Sequence, residues 1–143
     1  MLKVKKGFSL IELLVVIAII GVLSAVGITA YSGYTADAKQ KVTMAQHKQV
    51  VSFLNAESAK CAGGSGTFAF ATSTACSADW SVALIKAHIN GTMDMSNAYV
   101  PANGFAVDSA AEGATVITLS GTSAVITTTT VSGTVEANTI ARY

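Results

Sequence analysis

The chain has 143 residues, of which 51% are apolar and only 12% are charged, with a formal net charge of +1. A typical soluble domain carries about 25% charged residues, so uncharged polar side chains or burial in an assembly must make this surface compatible with its surroundings. The near-neutral charge argues against a nucleic-acid-binding protein as such, because it offers no basic stripe that would displace counterions from phosphates.

The first predicted element is an apolar helix at residues 8–28. Lys3, Lys5 and Lys6 precede it, and at ~1.5 Å per residue it would reach about 30 Å, one membrane hydrocarbon thickness. The lysines would hold the N-terminus in the cytoplasm and place the rest of the chain outside. One charged residue, Glu12, interrupts the apolar run, although a carboxylate at a helix centre in hydrocarbon costs at least ~2.5–3.5 kcal/mol.

Two common interpretations leave Glu12 unexplained. A secretory signal peptide has a basic start, an apolar middle and a small-residue exit, and Ala25, Val26 and Gly27 would serve as that exit. The glutamate, the length of the apolar run and its continuation into a helical pattern all argue against a signal peptide. A plain membrane anchor fits the length but gives the carboxylate no role.

The stretch KKGFSLIELLVVIAIIGVLSAVGITAYSGY closely resembles the N-terminus of type IV pilin precursors and of their relatives, the type II secretion pseudopilins. The resemblance implies that residues 1–7 are a basic leader and that a prepilin peptidase cleaves between Gly7 and Phe8. It also implies that the same enzyme methylates the new amine of Phe8. Glu12 corresponds to the family's fifth-position glutamate.

Cleavage would give Glu12 a physical role. It would create a cation at Phe8, at the N-terminus of a helix, where the helix dipole also favours negative charge. In a bundle of staggered helices each Glu12 would meet the Phe8 amine of a neighbour, so that two groups costly singly become tolerable together and set the register. We therefore assign Glu12 to assembly rather than catalysis.

The resemblance implies an α+β type IV pilin fold, in which a long N-terminal helix packs against a C-terminal antiparallel sheet of about four strands. The helix is expected at 8–59, with 8–29 as the transmembrane and filament-core part, and the globular head at 60–143. The absence of any proline before Pro101 permits one continuous helix.

Apolar residues at helical spacing predict a stripe on this helix that serves core and helix–helix packing. They are Tyr31, Tyr34, Ala38, Val42, Ala45, Phe53 and Ala56. Between Val50 and Leu54 the apolar face widens, as expected where a helix begins to pack under a sheet. The opposite face is polar and includes His47.

The head is predicted to begin with a loop closed by Cys61 and Cys76. An even, sparse cysteine count behind an export-type N-terminus favours one disulfide, the other interpretation being two unlinked small apolar residues. The stretch SADWSVALIKAHI predicts a second helix, capped near Ser77 or Asp79. Its inward-facing residues are expected to be Trp80, Leu84 and Ile85. Val, Ile and Thr alternation then predicts strands at 105–109, 114–119, 124–131 and 134–142.

No pattern predicts an active site, a metal site or a cofactor. His47 and His88 have no partner at metal-ligand spacing and are expected to be ordinary surface or helix residues. Oxygen ligands for calcium are available in the region where major pseudopilins carry a calcium site, but the EF-hand pattern is absent. These candidates are Asp94, Asn97, Asp108 and Glu112.

The resulting hypothesis is a structural one. The chain is expected to be a pilin, a major or otherwise abundant one, that leaves the inner membrane and polymerises into a type IV pilus used in attachment, twitching motility or DNA uptake. Its expected partners are other pilin subunits, the prepilin peptidase, the assembly platform and the ATPase motor. The alternatives are a type II secretion pseudopilin and a membrane-tethered binding module that never polymerises.

One departure from the family concerns helix flexibility. Many pilins have a proline where this chain has Thr29, so we expect the helix of the free subunit to be continuous there. Gly21 and Gly27 each weaken a helix by ~1 kcal/mol relative to alanine, and hydroxyls such as that of Thr29 can bond to released carbonyls. We therefore expect a helix-loosening segment from Gly21 to Gly27 that unwinds only in the filament.

Overall fold

The structure, a computed structural model, describes residues 7–64, 66–69, 80–130, 133 and 135–141. The chain divides into two compact units, one ending at Asp37 and the other beginning at Ala38. A long N-terminal helix and a four-stranded sheet confirm the α+β fold class. The elements are α1 (Leu10–Ala62), α2 (Val82–Ala87), a π-helical turn (His88–Thr92), β1 (Ala106–Val107), β2 (Thr115–Ser120), β3 (Ser123–Thr129) and β4 (Val135–Ala141).

Local interactions determine where helix α1 begins and where it ends. At its start the Ser9 N–H donates a hydrogen bond to Glu12 Oε2 over 2.8 Å, which satisfies a backbone group that a helix N-terminus leaves unpaired. At its end the Gly63 N–H donates to the Ala59 carbonyl over 3.1 Å, and Gly64 adopts φ 74°, a conformation that glycine reaches without strain. Between these ends no residue removes a backbone donor.

The sheet has the order β1-β2-β3-β4. β2 and β3 form an antiparallel hairpin whose two-residue turn places Gly121 at φ 53°, the conformation that tight hairpins require. β3 also pairs antiparallel with β4, from Ser123 opposite Ala141 to Thr129 opposite Val135. The expectation of a wholly antiparallel sheet is wrong at one edge, because β1 pairs parallel with β2.

A side chain occupies the outer edge of the parallel strand β1. Asn90, in the π-helical turn, donates from Nδ2 to the Ala106 carbonyl over 2.8 Å and accepts from the Ala106 N–H at Oδ1 over 2.9 Å. One amide group thus takes the place of a neighbouring strand. β1 covers two residues rather than the five expected for this segment.

Val50 and Leu54 are buried where the apolar face of α1 is expected to widen, but the rest of the buried face differs from the expected apolar stripe. The buried residues of α1 are Thr43, His47, Val50, Leu54, Glu57, Ser58 and Cys61. Tyr31, Tyr34 and Val42 are exposed instead. The difference arises because the sheet satisfies polar groups on the helix: Ser58 Oγ, for example, donates to the Ala141 carbonyl of β4 over 2.6 Å.

The second helix is confirmed in part. Trp80 and Ile85 are buried as expected, and Ile89 joins them, whereas Leu84 is 41% exposed, so its predicted inward position is wrong. Helix α2 begins after Ser81, whose side chain makes no capping hydrogen bond. Both predicted caps, Ser77 and Asp79, lie outside the described residues.

Cys61 lies in the last turn of α1, with 9% of its surface exposed. Its predicted partner, Cys76, lies outside the described residues, so the disulfide stays a prediction. The segment that follows the helix is held by Glu57, whose Oε2 accepts the Ala69 N–H over 2.5 Å and whose Oε1 lies 3.0 Å from Lys60 Nζ.

We expect Cys61→Ser with Cys76→Ser to destabilise the head by ~3 kcal/mol, the chain-entropy value for a loop of this length. Chemical unfolding of the full chain in detergent, followed by Trp80 fluorescence, measures the loss. Thiol labelling of the denatured, unreduced chain is the accompanying control. Labelling of both cysteines there would contradict the disulfide.

Candidate functional site

The candidate functional site is the N-terminal segment, which we define as residues 7–37. Within it, helix α1 contains one window long and apolar enough to cross a membrane, and no part of that window is buried. Large apolar side chains are exposed throughout it, at Phe8, Leu10, Ile11, Leu13, Leu14, Val15, Val16, Ile17, Ile19, Ile20, Val22, Leu23, Val26 and Ile28. Burying each such side chain fully is worth ~1.5–3 kcal/mol, so together they provide a large driving force for entry into lipid or a helical bundle.

Glu12 is the acidic residue of the first turn of α1. The helix begins at Leu10, so Ser9 is the N-cap and Glu12 is the third helical residue, the position from which a carboxylate caps the preceding backbone. In the subunit alone, Glu12 therefore already stabilises the start of its own helix. Sequence reasoning missed this role, although the S-x-x-E spacing of Ser9 and Glu12 is its signal.

Gly7 and Phe8 lie just before the helix, in an exposed, non-helical stretch. Phe8 is 86% exposed. A chain cut after Gly7 would carry its new amine one residue before the N-cap and four residues before Glu12. The helix dipole disfavours a cation at this position, so a nearby carboxylate would offset an unfavourable charge.

Gly21, Gly27 and Thr29 lie within unbroken helix. A Cβ added at either glycine would meet no atom within 4 Å, so packing inside the subunit does not require glycine there. Thr29 Oγ1 donates to the Val26 carbonyl over 2.9 Å. Ser32 and Thr35 repeat this bond to the carbonyls three residues earlier, an arrangement that the i, i+3 spacing of hydroxyls would have revealed.

Comparison with known proteins matches this same segment. The prokaryotic N-terminal methylation motif matches residues 2–28. The type IV major pilin protein PilE1 of Neisseria gonorrhoeae is 60% identical over 35 residues, which are 24% of this chain and 21% of that protein. A fimbrial protein of Pseudomonas aeruginosa is 57% identical over 35 residues, 24% of this chain and 23% of its own length. The N-terminal segment of this chain is therefore similar to the N-termini of type IV pilins.

The matched pilin segment spans only about a fifth of the length of these curated relatives. A fimbrial protein of Neisseria meningitidis serogroup B (strain ATCC BAA-335 / MC58), 60% identical over 35 residues, is likewise covered over 21% of its length. No solved structure matches this chain. The pilin likeness therefore concerns the N-terminal segment.

The two histidines take structural positions. His47 lies in helix α1 and is only 3% exposed, so its expected position on the polar face opposite the apolar stripe is wrong. Its Nδ1 lies 2.7 Å from Thr128 Oγ1 and its Nε2 lies 2.6 Å from Asn138 Oδ1, which links α1 to β3 and β4. His88 stacks on Phe53 with ring centroids 4.9 Å apart.

Two of the four side chains considered as calcium ligands make other contacts. Asn97 Oδ1 accepts the N–H groups of Tyr99 and Val100, and Asp108 forms an ion pair with Lys86. Burial raises the pKa of Tyr99, and the nearby Glu112 carboxylate raises it further. Among the residues that the structure describes, no group of three or more His, Cys, Asp or Glu side chains is placed to hold a metal ion.

Proposed function

We propose that this chain is a structural subunit that polymerises into a type IV pilus. The observation that carries the proposal is the combination at the N-terminal segment: a wholly exposed apolar helix, a carboxylate at its third position, and a methylation motif over the same residues. An apolar surface of this extent requires a membrane before assembly and neighbouring helices afterwards.

In the proposed assembly step, Glu12, which accepts the Ser9 N–H in the single chain, pairs with a neighbouring subunit. After cleavage, Phe8 would present a cation, and Glu12 of a neighbouring subunit would neutralise it inside an apolar bundle. Removing the leader also removes Lys3, Lys5 and Lys6, which leaves six cationic against eight acidic residues, a formal charge of −2.

The assembly platform and ATPase motor are the proposed machinery, and attachment, twitching motility or DNA uptake are proposed as properties of the filament.

Electron microscopy of filaments sheared from cells tests this function. With an antibody against the head, we expect label along the length of extracellular filaments. Short periplasmic stubs would instead favour a pseudopilin, and diffuse label on a membrane without any polymer would contradict the proposed function.

The proposed processing is tested at Gly7. A mature protein beginning at N-methylated Phe8 is expected from mass spectrometry of surface material, and Gly7→Leu is expected to leave the precursor uncleaved in the inner membrane. A Cβ at Gly7 meets no atom within 4 Å and the position is exposed, so failure of this variant reports recognition by the peptidase rather than misfolding. Surface protein that begins at Met1 or at Ile28 would contradict the assignment.

The proposed loosening segment predicts a mechanical effect. We expect Gly21→Ala with Gly27→Ala to stiffen the filament, because each substitution stabilises the helix by ~1 kcal/mol without a clash inside the subunit. Gly33→Ala is the matched control, since it is equally unobstructed but lies outside the segment. Bending of filaments in micrographs gives the persistence length. Unbroken helical hydrogen bonding from Ile20 to Tyr31 in a filament map would rule the segment out.

A further inference from the structure

Two Asn-Gly pairs, Asn90-Gly91 and Asn103-Gly104, lie in one stretch of the head. An asparagine followed by glycine is the dipeptide most prone to deamidation, because glycine has no side chain to obstruct attack of its own amide nitrogen on the asparagine Cγ. Asparagine is among the thermolabile residues for this reason. The structure places the two pairs in opposite environments.

In the first pair both the asparagine side chain and the backbone are held in place. Both polar atoms of the Asn90 side chain are bonded to the Ala106 backbone, at 2.8 and 2.9 Å. Asn90 and Gly91 also belong to the π-helical turn, which holds the backbone in a helical conformation. Ring closure between Asn90 Cγ and the Gly91 nitrogen would require breaking the two side-chain bonds and unwinding the turn.

In the second pair the asparagine side chain is open. Asn103 is exposed, and its side chain makes no hydrogen bond to any residue that the structure describes. Gly104 forms an antiparallel bridge with Ser96, and the two hydrogen bonds of that bridge come from the amides of Asn97 and Phe105. In such a pair the bridged residues direct their own N–H groups away from the partner. The Gly104 nitrogen is therefore not held by this pairing.

Packing requires glycine at position 104. A Cβ on Gly104 would lie 2.4 Å from Cγ and from Nδ2 of Asn90, the amide that completes the edge of the sheet. The locked asparagine thus imposes a glycine immediately after Asn103. The deamidation-prone pair Asn103-Gly104 is therefore a consequence of how Asn90 packs.

We propose that Asn103 is a self-modification site that deamidates in the folded chain. The Gly104 amide nitrogen, after losing its proton, forms a bond to Asn103 Cγ, and the bond from Cγ to Nδ2 breaks so that ammonia leaves. Water then opens the resulting succinimide at either carbonyl, which yields aspartate or isoaspartate. No oxidant, metal or enzyme is needed, and the proposal is independent of the proposed pilus function.

Deamidation of Asn103 alters the turn at residues 97–103, whose backbone is hydrogen-bonded to Asn97. The Asn103 N–H donates to the Val100 carbonyl over 2.8 Å, and the Asn103 carbonyl accepts the Asn97 N–H over 2.9 Å. In isoaspartate the main chain runs through Cγ, and this carbonyl becomes part of a free carboxylate on a chain lengthened by one methylene. Either product adds one negative charge to a surface turn of every modified subunit.

The test compares the two pairs within one sample. The full chain in detergent is incubated in mildly alkaline buffer, and peptide mapping by mass spectrometry follows conversion of each asparagine. We expect Asn103 to react at least about tenfold faster than Asn90 in the folded chain, a barrier difference of about 1.4 kcal/mol. In denaturant we expect the two rates to converge, because both pairs then have the same local freedom.

Two further measurements complete the test. Labelling by an isoaspartyl methyltransferase should appear with time in the folded chain and be absent in Asn103→Gln, which keeps an amide but closes a larger ring slowly. Equal rates at Asn90 and Asn103 in the folded chain would overturn the proposal. So would an Asn103 that stays intact when folded yet reacts in denaturant.

Discussion

The Glu12→Ala chain is expected to insert into the membrane and to be cleaved after Gly7, but to form at least tenfold fewer filaments. A loss of about 1.4 kcal/mol per assembly step is enough for this tenfold decrease. Without the carboxylate, each Phe8 cation would enter an apolar bundle unpaired, which costs more than this. Counting filaments by electron microscopy, with precursor and mature chain quantified in the same cells, measures the effect.

Glu12→Gln is the matched control, because Glu12 has two separable roles. Gln is also an acceptor at the third helical position, so it retains the hydrogen bond from the Ser9 N–H while removing the charge. If charge pairing drives assembly, Gln fails as Ala does. Normal filaments with Gln and few with Ala would show that helix capping, not charge pairing, is what assembly requires.

Gly113→Ala is expected to destabilise the head by about 3 kcal/mol or more. Gly113 has φ 71°, which costs a non-glycine residue about 1–2 kcal/mol. In addition, a Cβ there would lie 2.2 Å from Tyr99 Cδ2 and 2.7 Å from Asn97 Oδ1, so the loop that Asn97 organises must move. Denaturant unfolding of the full chain in detergent measures the change.

Gly121→Ala is the matched control for Gly113→Ala, because it introduces backbone strain without a steric clash. Gly121 also has a positive φ, 53°, but a Cβ there meets nothing within 4 Å. We therefore expect it to lose only the ~1–2 kcal/mol of conformational strain. Equal losses at the two positions would mean that the contact with Tyr99 relaxes freely, contrary to the packing described.

The features that depend on neighbouring residues in the chain were predictable from the sequence. The apolar run with Glu12 inside it predicted a pilin-like N-terminal segment, and the comparisons matched the same residues. The absence of proline before Pro101 permitted the long helix, and the strand alternation around Gly121 predicted the β2–β3 hairpin. In each case the determining interactions span a few residues, so the local pattern was sufficient.

Which face of α1 is buried was decided by tertiary structure. Hydropathy favoured a stripe through Tyr31, Tyr34 and Val42, yet these are exposed while Thr43 and His47 are buried. Burial of a polar side chain costs little only when it finds a partner. Thr43 bonds to its own helix at the Lys39 carbonyl, whereas the partners of His47 come from strands 81 and 91 residues away.

The edge of the sheet follows the same physical rule. Asn90 and Ala106 are 16 residues apart, and only the folded chain brings the side-chain amide against the backbone that it pairs with. The sequence by itself therefore determined the N-terminal segment, the helix and the hairpin. Tertiary structure decided which polar groups are buried, because their free energy of burial depends on partners that no local pattern encodes.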